Sequence, residues 1–335
     1  MRIGLIGLGR IGAFHAETLS GLPAVTELVV TDAVPAVTER IARKYGAEPV
    51  ADADALLHSG VDGVVVATAT DAHPQLILAA VEVGLPVFCE KPVARGPAAA
   101  AEVLRHCAGA AVQIGYNRRF DPAFVAARAA VASGELGRLH TVRSTTLDPA
   151  PPPAAYLAAS GGIFHDCAVH DFDIIRYVTG REVVEVYATG SARGDDLFTE
   201  LGDAATAAAI LTLDDDTLAV VSNTRYNGRG HDVRLELHGS ADSIAVGLED
   251  KLPLRSVEPG VTFPAGPPHT FFMDRFAVAY RRELTAFTEM VAGTRESPCT
   301  IADAVEVGWI AEACTLSLRE HRPVRLSDVR LPELA

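Results

Sequence analysis

"MRIGLIGLGRIGAFHAETLSGL", residues 1–22, decides the fold of the first part of the chain. A short apolar run predicts a β-strand, which passes through the pattern GxGxxG into a helical pattern. The first glycine allows a tight turn, the second lets the backbone approach a pyrophosphate, and the third lets helix and strand pack closely. The N–H groups at the helix start would hold the phosphate charge. The residues expected to bind a dinucleotide here are Gly7, Gly9, Arg10, Ile11 and Gly12.

A second apolar run supports this interpretation. The segment ELVVTD ends in Asp32, twenty residues beyond Gly12, where an acidic side chain is expected to bind the adenosine ribose hydroxyls. Asp32 is followed by the small, uncharged Ala33, and a carboxylate at this point repels a ribose 2′-phosphate. We therefore expect NAD rather than NADP as the cofactor. The alternative is a glycine-rich turn that serves only packing.

Strand and helix patterns alternate through the rest of residues 1–117. Helical patterns such as HPQLILAAVEVG separate strand patterns such as GVDGVVVAT, LPVFCE and AVQIGY. This alternation predicts a doubly wound parallel sheet of the Rossmann type, an α/β fold whose ligands lie beyond the carboxyl ends of the strands. The candidate cofactor residues in the loops at that edge are Thr68, His73, Glu90 and Lys91. We expect His73 to cap the helix that begins near Pro74 or to contact the cofactor.

Lys91 can also act on the substrate. It follows a buried strand at the ligand edge, and Pro92 restricts the backbone after it. A lysine in this position can donate a hydrogen bond to a substrate hydroxyl, although a surface ion pair is the commoner role of a lysine.

In residues 118–335 the regular alternation of strand and helix patterns ends, which predicts a second, α+β domain. A proline-rich loop, DPAPPPAAYLAASGG, and a helix from Asp166 to Val178 precede a series of strand patterns with few helices between them. Sequential strands favour a large, mostly antiparallel sheet. The DDD of Asp214 to Asp216 is expected to be a hairpin turn between two of these strands. Two C-terminal helices finish the chain and are expected to pack back on the first domain.

The composition excludes several classes of protein. The chain has 29 Lys and Arg against 43 Asp and Glu, a formal net charge of −14, which argues against nucleic-acid binding. It contains no apolar run of membrane-spanning length. The five cysteines are scattered and never form a CxxC pair, as is typical of a reduced, cytoplasmic protein without a structural metal.

The segment GGIFHDCAVHDFD, residues 161–173, allows three interpretations. On a helix, Asp166, His170 and Asp173 share one stripe, which suits the solvated side of an ordinary amphipathic helix. A metal site from His165, Cys167 and His170 is weaker, because adjacent helical positions point about 100° apart. In the third interpretation, His170 is an acid/base group supported by Asp166 one turn away. The dinucleotide site predicted elsewhere in the chain favours this third interpretation.

The ordered set of motifs GLGRIG, EKP, GYNRRFDP, GGIFHDCAVHDFD and RFAVAYRRELTAF resembles the Gfo/Idh/MocA oxidoreductase family, and within it the inositol 2-dehydrogenase branch. The resemblance implies a homotetramer that uses NAD to oxidise a secondary hydroxyl of a cyclic polyol, myo-inositol or a stereoisomer. It implies that His170 removes the hydroxyl proton, that Asp166 supports the resulting imidazolium, and that Lys91 stabilises the developing alkoxide. Further pocket residues implied for cofactor or polyol are Arg118, Asp173 and Tyr280.

The chain departs from that branch in two places. Members often carry a His-x-Asn pair on the strand that ends here near Asp148, whereas this chain has Thr146-Leu147-Asp148. We expect Asp148 to bind substrate in its place. The segment RYNGRGHD, Arg225 to Asp232, is longer than its usual counterpart. Other functions therefore remain as alternatives. They are a sugar or aminocyclitol dehydrogenase, NAD-dependent glycoside cleavage and a non-catalytic NAD sensor. The intact set Lys91, Asp166 and His170 argues against the sensor.

Overall fold

The structure is a computed structural model, and it describes residues 1–330. The chain divides into two compact units. The first consists of Met1–Asn117 and Val278–Glu306, and the second of Arg118–Ala277 and the described residues that follow Glu306. The sequence expectation set one boundary, between residues 117 and 118, and the structure assigns residues 278–306 to the first unit as well.

Strands and helices alternate in residues 1–117. The strands are β1 (Arg2–Ile6), β2 (Glu27–Thr31), β3 (Glu48–Pro49), β4 (Gly63–Val66), β5 (Val87–Glu90) and β6 (Val112–Gly115). The helices are α1 (Arg10–Ser20), α2 (Pro35–Tyr45), α3 (Ala53–Leu57), α4 (His73–Glu82) and α5 (Pro97–His106), with 3₁₀ turns at Thr70–Ala72 and Asn117–Phe120.

Residues 118–330 are richer in consecutive strands. The strands are β7 (Leu139–Leu147), β8 (Val183–Ser191), β9 (Thr206–Leu213), β10 (Leu218–Thr224), β11 (Asp232–Gly239), β12 (Ser243–Val246) and β13 (Val324–Arg325). The helices are α6 (Pro122–Ala132), α7 (Ala154–Leu157), α8 (Val169–Thr179), α9 (Asp196–Glu200), α10 (Phe272–Arg275), α11 (Ala277–Val291), α12 (Ile301–Glu320) and α13 (Leu326–Val329), with a π-helical turn at Phe164–Ala168.

The first unit is the predicted doubly wound fold. Its six strands lie in the order β3-β2-β1-β4-β5-β6, and every adjacent pair is parallel. The strand order reverses between β1 and β4, and ligands of such sheets bind at that point, beyond the carboxyl ends of the strands. Side chains of α11, Leu284, Phe287 and Met290, belong to the same buried core as β1 and β2. This part of the fold prediction is confirmed.

The second unit contains a seven-stranded sheet in the order β12-β11-β7-β10-β9-β8-β13. All adjacent pairs are antiparallel except β7 with β10, so the predicted mostly antiparallel sheet is confirmed. The DDD segment joins the antiparallel strands β9 and β10, and Asp216 there has a φ of 65°. The predicted hairpin turn is therefore confirmed as well.

One face of this sheet is apolar and exposed. Side chains alternate between buried and exposed along β9 and β10. Val220, Ile210 and Tyr187 form a row across three neighbouring strands and are 37%, 48% and 42% exposed. Hydrophobic residues of this size normally face a core, so this sheet presents a surface that another molecule can cover.

Candidate active site

The glycine turn between β1 and α1 has the geometry of a dinucleotide cradle. Gly7 has a φ of +91°, and a Cβ there would lie 2.7 Å from the Ala67 carbonyl oxygen. A Cβ on Gly12 would overlap the Gly7 carbonyl oxygen, so only glycine lets α1 pack this closely on the turn. At Gly9, by contrast, no described atom lies within 4 Å of such a Cβ. This open space before the first turn of α1 fits a pyrophosphate against the helix N–H groups of Arg10 and Ile11.

Asp32 is fixed at the same edge by two backbone N–H groups. Leu8 N donates to its Oδ2 over 2.7 Å, and Val34 N donates to its Oδ1 over 2.9 Å. Each carboxylate oxygen can accept a second hydrogen bond, because an ionised carboxylate offers about four acceptor positions. The orientation therefore suits a pair of ribose hydroxyls.

His73 joins two loops at the carboxyl ends of β4 and β5. Its Nδ1 lies 2.7 Å from the Pro92 carbonyl oxygen and its Nε2 3.1 Å from the Thr68 carbonyl oxygen. Helix α4 begins at His73 itself, and its N-cap residue, Ala72, has no side-chain capping bond. The expectation that His73 caps this helix is wrong, because its ring connects the Thr68 loop to the loop that carries Lys91.

Glu90 and Tyr280 are both buried against α1. Glu90 Oε1 lies 2.6 Å from Nε2 of His15, which is fully buried. The Tyr280 ring packs edge-on against Phe14, with ring centroids 5.2 Å apart. His15 could not be found from the sequence, because it looks like an ordinary helical residue until the fold brings it to Glu90. The cofactor roles expected of Glu90 and Tyr280 remain predictions.

The second unit places Asp166 in the π-helical turn Phe164–Ala168, directly before α8. The sequence predicted a regular α-helix from Asp166 onward, so the wider turn is a correction. Such turns occur frequently at functional sites. The start of this segment is held by Asp203, whose Oδ1 accepts from Ile163 N over 2.9 Å. His170 follows in the first turn of α8 and is partly exposed.

Both oxygens of Asp166 have defined partners. Tyr156 Oη donates to Oδ1 over 2.7 Å, and Arg225 Nη1 donates to Oδ2 over 3.0 Å. The Arg225 side chain is 1% exposed. Burial acts to lower the pKa of Arg225, but the charge of Asp166 and its hydrogen bond leave that pKa above its ordinary value. A fixed positive charge therefore faces the Asp166 carboxylate.

Tyr156 and Arg225 were not predicted as site residues from the sequence. Tyr156 lies in the helix α7 within the proline-rich loop, and Arg225 begins the unusually long segment Arg225–Asp232. The unusual length of that segment was the one available signal, since contacts over such sequence separations follow from the fold.

Asp148, after the end of β7, meets the same long segment. His231 Nδ1 lies 3.0 Å from Asp148 Oδ1, and the Cys167 thiol lies 3.4 Å from Asp148 Oδ2. The Asp148 side chain is 27% exposed, whereas the His231 side chain is 3% exposed. Asp148 and the segment Arg225–Asp232, where the sequence departs from the inositol 2-dehydrogenase branch, are therefore in direct contact.

Arg118 and Asp173 are placed in buried ion pairs. Asp171, fully buried, accepts hydrogen bonds from four side chains, which are Arg118, Ser144, Thr146 and Asn223. Asp173 is 1% exposed and binds Arg119, with Oδ1 2.6 Å from Nη2. The expectation that Arg118 and Asp173 line the pocket is not supported by this geometry, because their charged groups are engaged in holding α8. Asp171 and Arg119 were missed.

The geometry also disfavours a metal site in the GGIFHDCAVHDFD segment. His165 Nε2 lies 3.4 Å from Glu312, and this contact lowers the pKa of Glu312. Burial raises the pKa of the Cys167 thiol well above its usual range, and the nearby Asp148 and Asp166 raise it further. A metal requires the thiolate, which these surroundings oppose. In residues 1–330, no group of three or more His, Cys, Asp or Glu residues is arranged to hold a metal ion.

Sequence and structure comparisons agree on one family. Residues 1–117 match the model of the oxidoreductase family with an NAD-binding Rossmann fold, and residues 124–245 match the GFO/IDH/MocA C-terminal domain. The inositol 2-dehydrogenase of Rhizobium meliloti (strain 1021) is 36% identical over 335 residues, 98% of this chain and 99% of the relative.

Solved structures extend the similarity. A myo-inositol dehydrogenase from Corynebacterium glutamicum superposes with a TM-score of 0.89 at 34% identity, covering 97% of this chain and 98% of its own. The scyllo-inositol dehydrogenase of Lactobacillus casei, with NAD(H) and scyllo-inositol bound, gives 0.85 at 27% identity, with coverage of 98% and 99%. With the glycine cradle, the Asp32 carboxylate and the Asp166–His170 segment in place, the chain belongs to the Gfo/Idh/MocA family of NAD-binding oxidoreductases.

Proposed function

We propose that this protein is an inositol 2-dehydrogenase, which uses NAD⁺ to oxidise a secondary hydroxyl of myo-inositol or a stereoisomer to a ketone. The observation that carries the proposal is the arrangement around Asp166. Its carboxylate is held by Tyr156 and the buried Arg225, four residues before His170, in a chain that also has the NAD cradle. The relatives named as myo- and scyllo-inositol dehydrogenases support the substrate class.

Each protein group has a separate role in this reaction. NAD⁺, when bound at Gly7–Gly12 and Asp32, supplies the hydride acceptor. His170 takes the proton of the reacting hydroxyl as a general base. Asp166, four residues earlier in the chain, carries the negative charge that favours the imidazolium, while Arg225 and Tyr156 keep Asp166 in place. Lys91 donates a hydrogen bond to the oxygen as its negative charge develops.

A substrate panel tests this function. Purified protein is incubated with NAD⁺ and inositol stereoisomers, simple sugars and aminocyclitols, and NADH absorbance is followed. We expect an inositol to give the highest kcat/KM of the compounds in the panel. Preference for a sugar or an aminocyclitol would reassign the substrate within the family, and release of an aglycone from glycosides would indicate the cleavage reaction. NAD binding without turnover of any compound would indicate a sensor.

The exposed sheet face suggests how the protein assembles. The row Val220, Ile210 and Tyr187 would be covered if two copies packed sheet against sheet, which supports a homo-oligomer of the tetrameric kind implied by the family resemblance. Light scattering is expected to give a multiple of the 35.3 kDa chain mass. A monomer at micromolar concentration, or the same mass after Ile210→Lys, would contradict this assembly.

We also propose a cytoplasmic location. Its support is the state of the five cysteines, all of which are buried free thiols. In the described part of the chain, no helix is long and apolar enough to cross a membrane. Cell fractionation of the producing organism would test the location.

A further inference from the structure

The backbone of Asp148 is held on both sides where the segment Arg225–Asp232 begins. Asp148 N donates to the Thr224 carbonyl oxygen over 2.8 Å, and Asn227 N donates to the Asp148 carbonyl oxygen over 2.7 Å. These bonds extend the pairing of β7 with β10 by one residue beyond β7. The position of the Asp148 Cα–Cβ bond is therefore fixed by the sheet.

A tight turn then returns the chain to Asp148. Gly230 N donates to the Asn227 carbonyl oxygen over 3.0 Å, and Asn227 Nδ2 donates to the Gly230 carbonyl oxygen over 2.9 Å. Gly230 has a φ of +145°, and a Cβ there would overlap the His269 carbonyl oxygen. Glycine is therefore required at this turn, which delivers His231 to the side of Asp148.

The His231 ring is buried between aromatic rings. The Phe272 and Phe276 ring centroids lie 6.5 and 6.4 Å from that of His231, both at steep angles. Its Nδ1 binds Asp148 Oδ1, and since a carboxylate only accepts, the contact requires the proton on Nδ1. Nε2 is buried without a hydrogen-bond partner among residues 1–330. The hydrogen-bonding capacity of the His231 ring is therefore used on Asp148.

The Asp148 carboxylate keeps capacity for a ligand. Its side chain is 27% exposed, and its Oδ2 is contacted by the Cys167 thiol at 3.4 Å, a weak donor. Cys167 is the neighbour of Asp166 in the π-helical turn. Asp148 therefore presents an oriented, acceptor-only group close in the fold to Asp166.

We propose that His231 is a positioning residue, which fixes the Asp148 carboxylate that the sequence already leads us to expect at the substrate, so that this carboxylate accepts hydrogen bonds from polyol hydroxyls that are not oxidised. The pair thereby determines which polyol stereoisomers bind, an inference that rests on the proposed function. A carboxylate cannot donate, so a substrate with an ether oxygen, a carbonyl or an anionic group at that position is rejected.

Matched variants separate positioning from packing. His231→Leu removes the donor, whereas His231→Asn keeps an N–H donor near the position of Nδ1. His238→Leu, at a half-exposed histidine on β11, is the control for the loss of an imidazole. Asp148→Asn keeps the shape of the carboxylate but removes its charge. Steady-state kinetics are measured at saturating NAD⁺ with the best inositol of the panel and its isomers, alongside thermal protection by the polyol in the presence of NADH.

His231→Leu is expected to raise KM about tenfold, the loss typical of one hydrogen bond to a charged group. The value of kcat should stay within about threefold of the wild-type value, because the lost hydrogen bond stabilises the bound substrate and the transition state equally. His231→Asn should recover most of the affinity and of the thermal protection. Asp148→Asn should also raise KM and change the ranking of isomers. In the double variant with His231→Leu, it should raise KM little further.

Several results would overturn the inference. One is an unchanged KM and isomer ranking in His231→Leu and Asp148→Asn. Another is an equal rise in KM in His231→Leu and His231→Asn, together with lowered melting temperatures, which would mean that His231 only packs. If His231→Leu fails to fold, His231→Gln replaces it, because its longer side chain moves the amide away from Asp148. Wild-type protein that oxidises no polyol would instead refute the proposed function, and this inference with it.

Discussion

Arg225, which is buried, and Asp166, which is partly exposed, form an ion pair with Nη1 of the arginine 3.0 Å from Oδ2 of the aspartate. The pair joins the end of β10 to the π-helical turn that precedes His170. A buried guanidinium makes directional hydrogen bonds, so it fixes both the charge and the orientation of the carboxylate. The orientation of Asp166, for which we propose a catalytic role, therefore depends on a residue 59 positions away in the sequence.

Arg225→Lys tests this dependence. Lysine keeps the charge but loses the planar, branched donor, so Asp166 should shift and kcat should fall about 10²-fold, a loss typical of small misplacements. The KM for NAD⁺ should change little. Arg234→Lys is the matched control, because Arg234 pairs with Asp232 on the same sheet. Kinetics of Arg225→Lys equal to those of the control would show that Asp166 does not need this partner.

The sequence predicted local features well and long-range contacts poorly. The glycine turn and Asp32 lie within one strand–helix–strand unit, where spacing alone sets geometry. The pairs of Asp166 with Arg225 and of Asp173 with Arg119 depend on how the second unit folds, and periodicity does not reveal them. The resemblance implied that Asp173 lines the pocket, whereas the structure buries its side chain against Arg119.

Lys91 should contribute to the chemical step. If it donates to the oxygen only as charge develops, Lys91→Ala should lower kcat on the order of 10²- to 10³-fold, as for loss of one oxyanion donor, and leave NAD⁺ affinity nearly unchanged. Stopped-flow kinetics and NADH fluorescence titration give the two quantities. Lys44→Ala, at an exposed lysine of α2, serves as the control. A loss confined to NAD⁺ affinity would make Lys91 a cofactor ligand instead.

Asp32 should select the cofactor. Its carboxylate is fixed by Leu8 N and Val34 N, and if it binds the ribose as we expect, it would repel a 2′-phosphate. We expect kcat/KM for NAD⁺ to exceed that for NADP⁺ at least about tenfold, or about 1.4 kcal/mol. Asp32→Ser should narrow this ratio by improving use of NADP⁺. Equal values for the two cofactors in the wild type would contradict the assignment.

The buried thiols should make stability fall at high pH. Burial raises the pKa of Cys89, Cys167 and Cys314 above the ordinary value of 9.0. Above about pH 9 the unfolded chain loses these protons while the folded protein keeps them, so the free energy of unfolding decreases by up to about 1.4 kcal/mol per pH unit for each thiol. Urea unfolding between neutral pH and pH 10 measures the slope, which Cys314→Ala should reduce. A flat profile, or rapid reaction of native thiols with a disulfide reagent at neutral pH, would contradict their burial.

In the mechanism that we propose, His170 removes the hydroxyl proton while hydride passes from the polyol carbon to NAD⁺. The most direct measurement uses an inositol with deuterium at the carbon of the oxidised hydroxyl and follows deuterium in the NADH formed. Wild-type protein should transfer it, with a rate that falls in acid as histidine takes up a proton. His170→Ala should be slower by about 10²- to 10⁴-fold and lose that acidic decline. NADH without deuterium, or a His170→Ala variant with the wild-type rate and pH profile, would contradict the account.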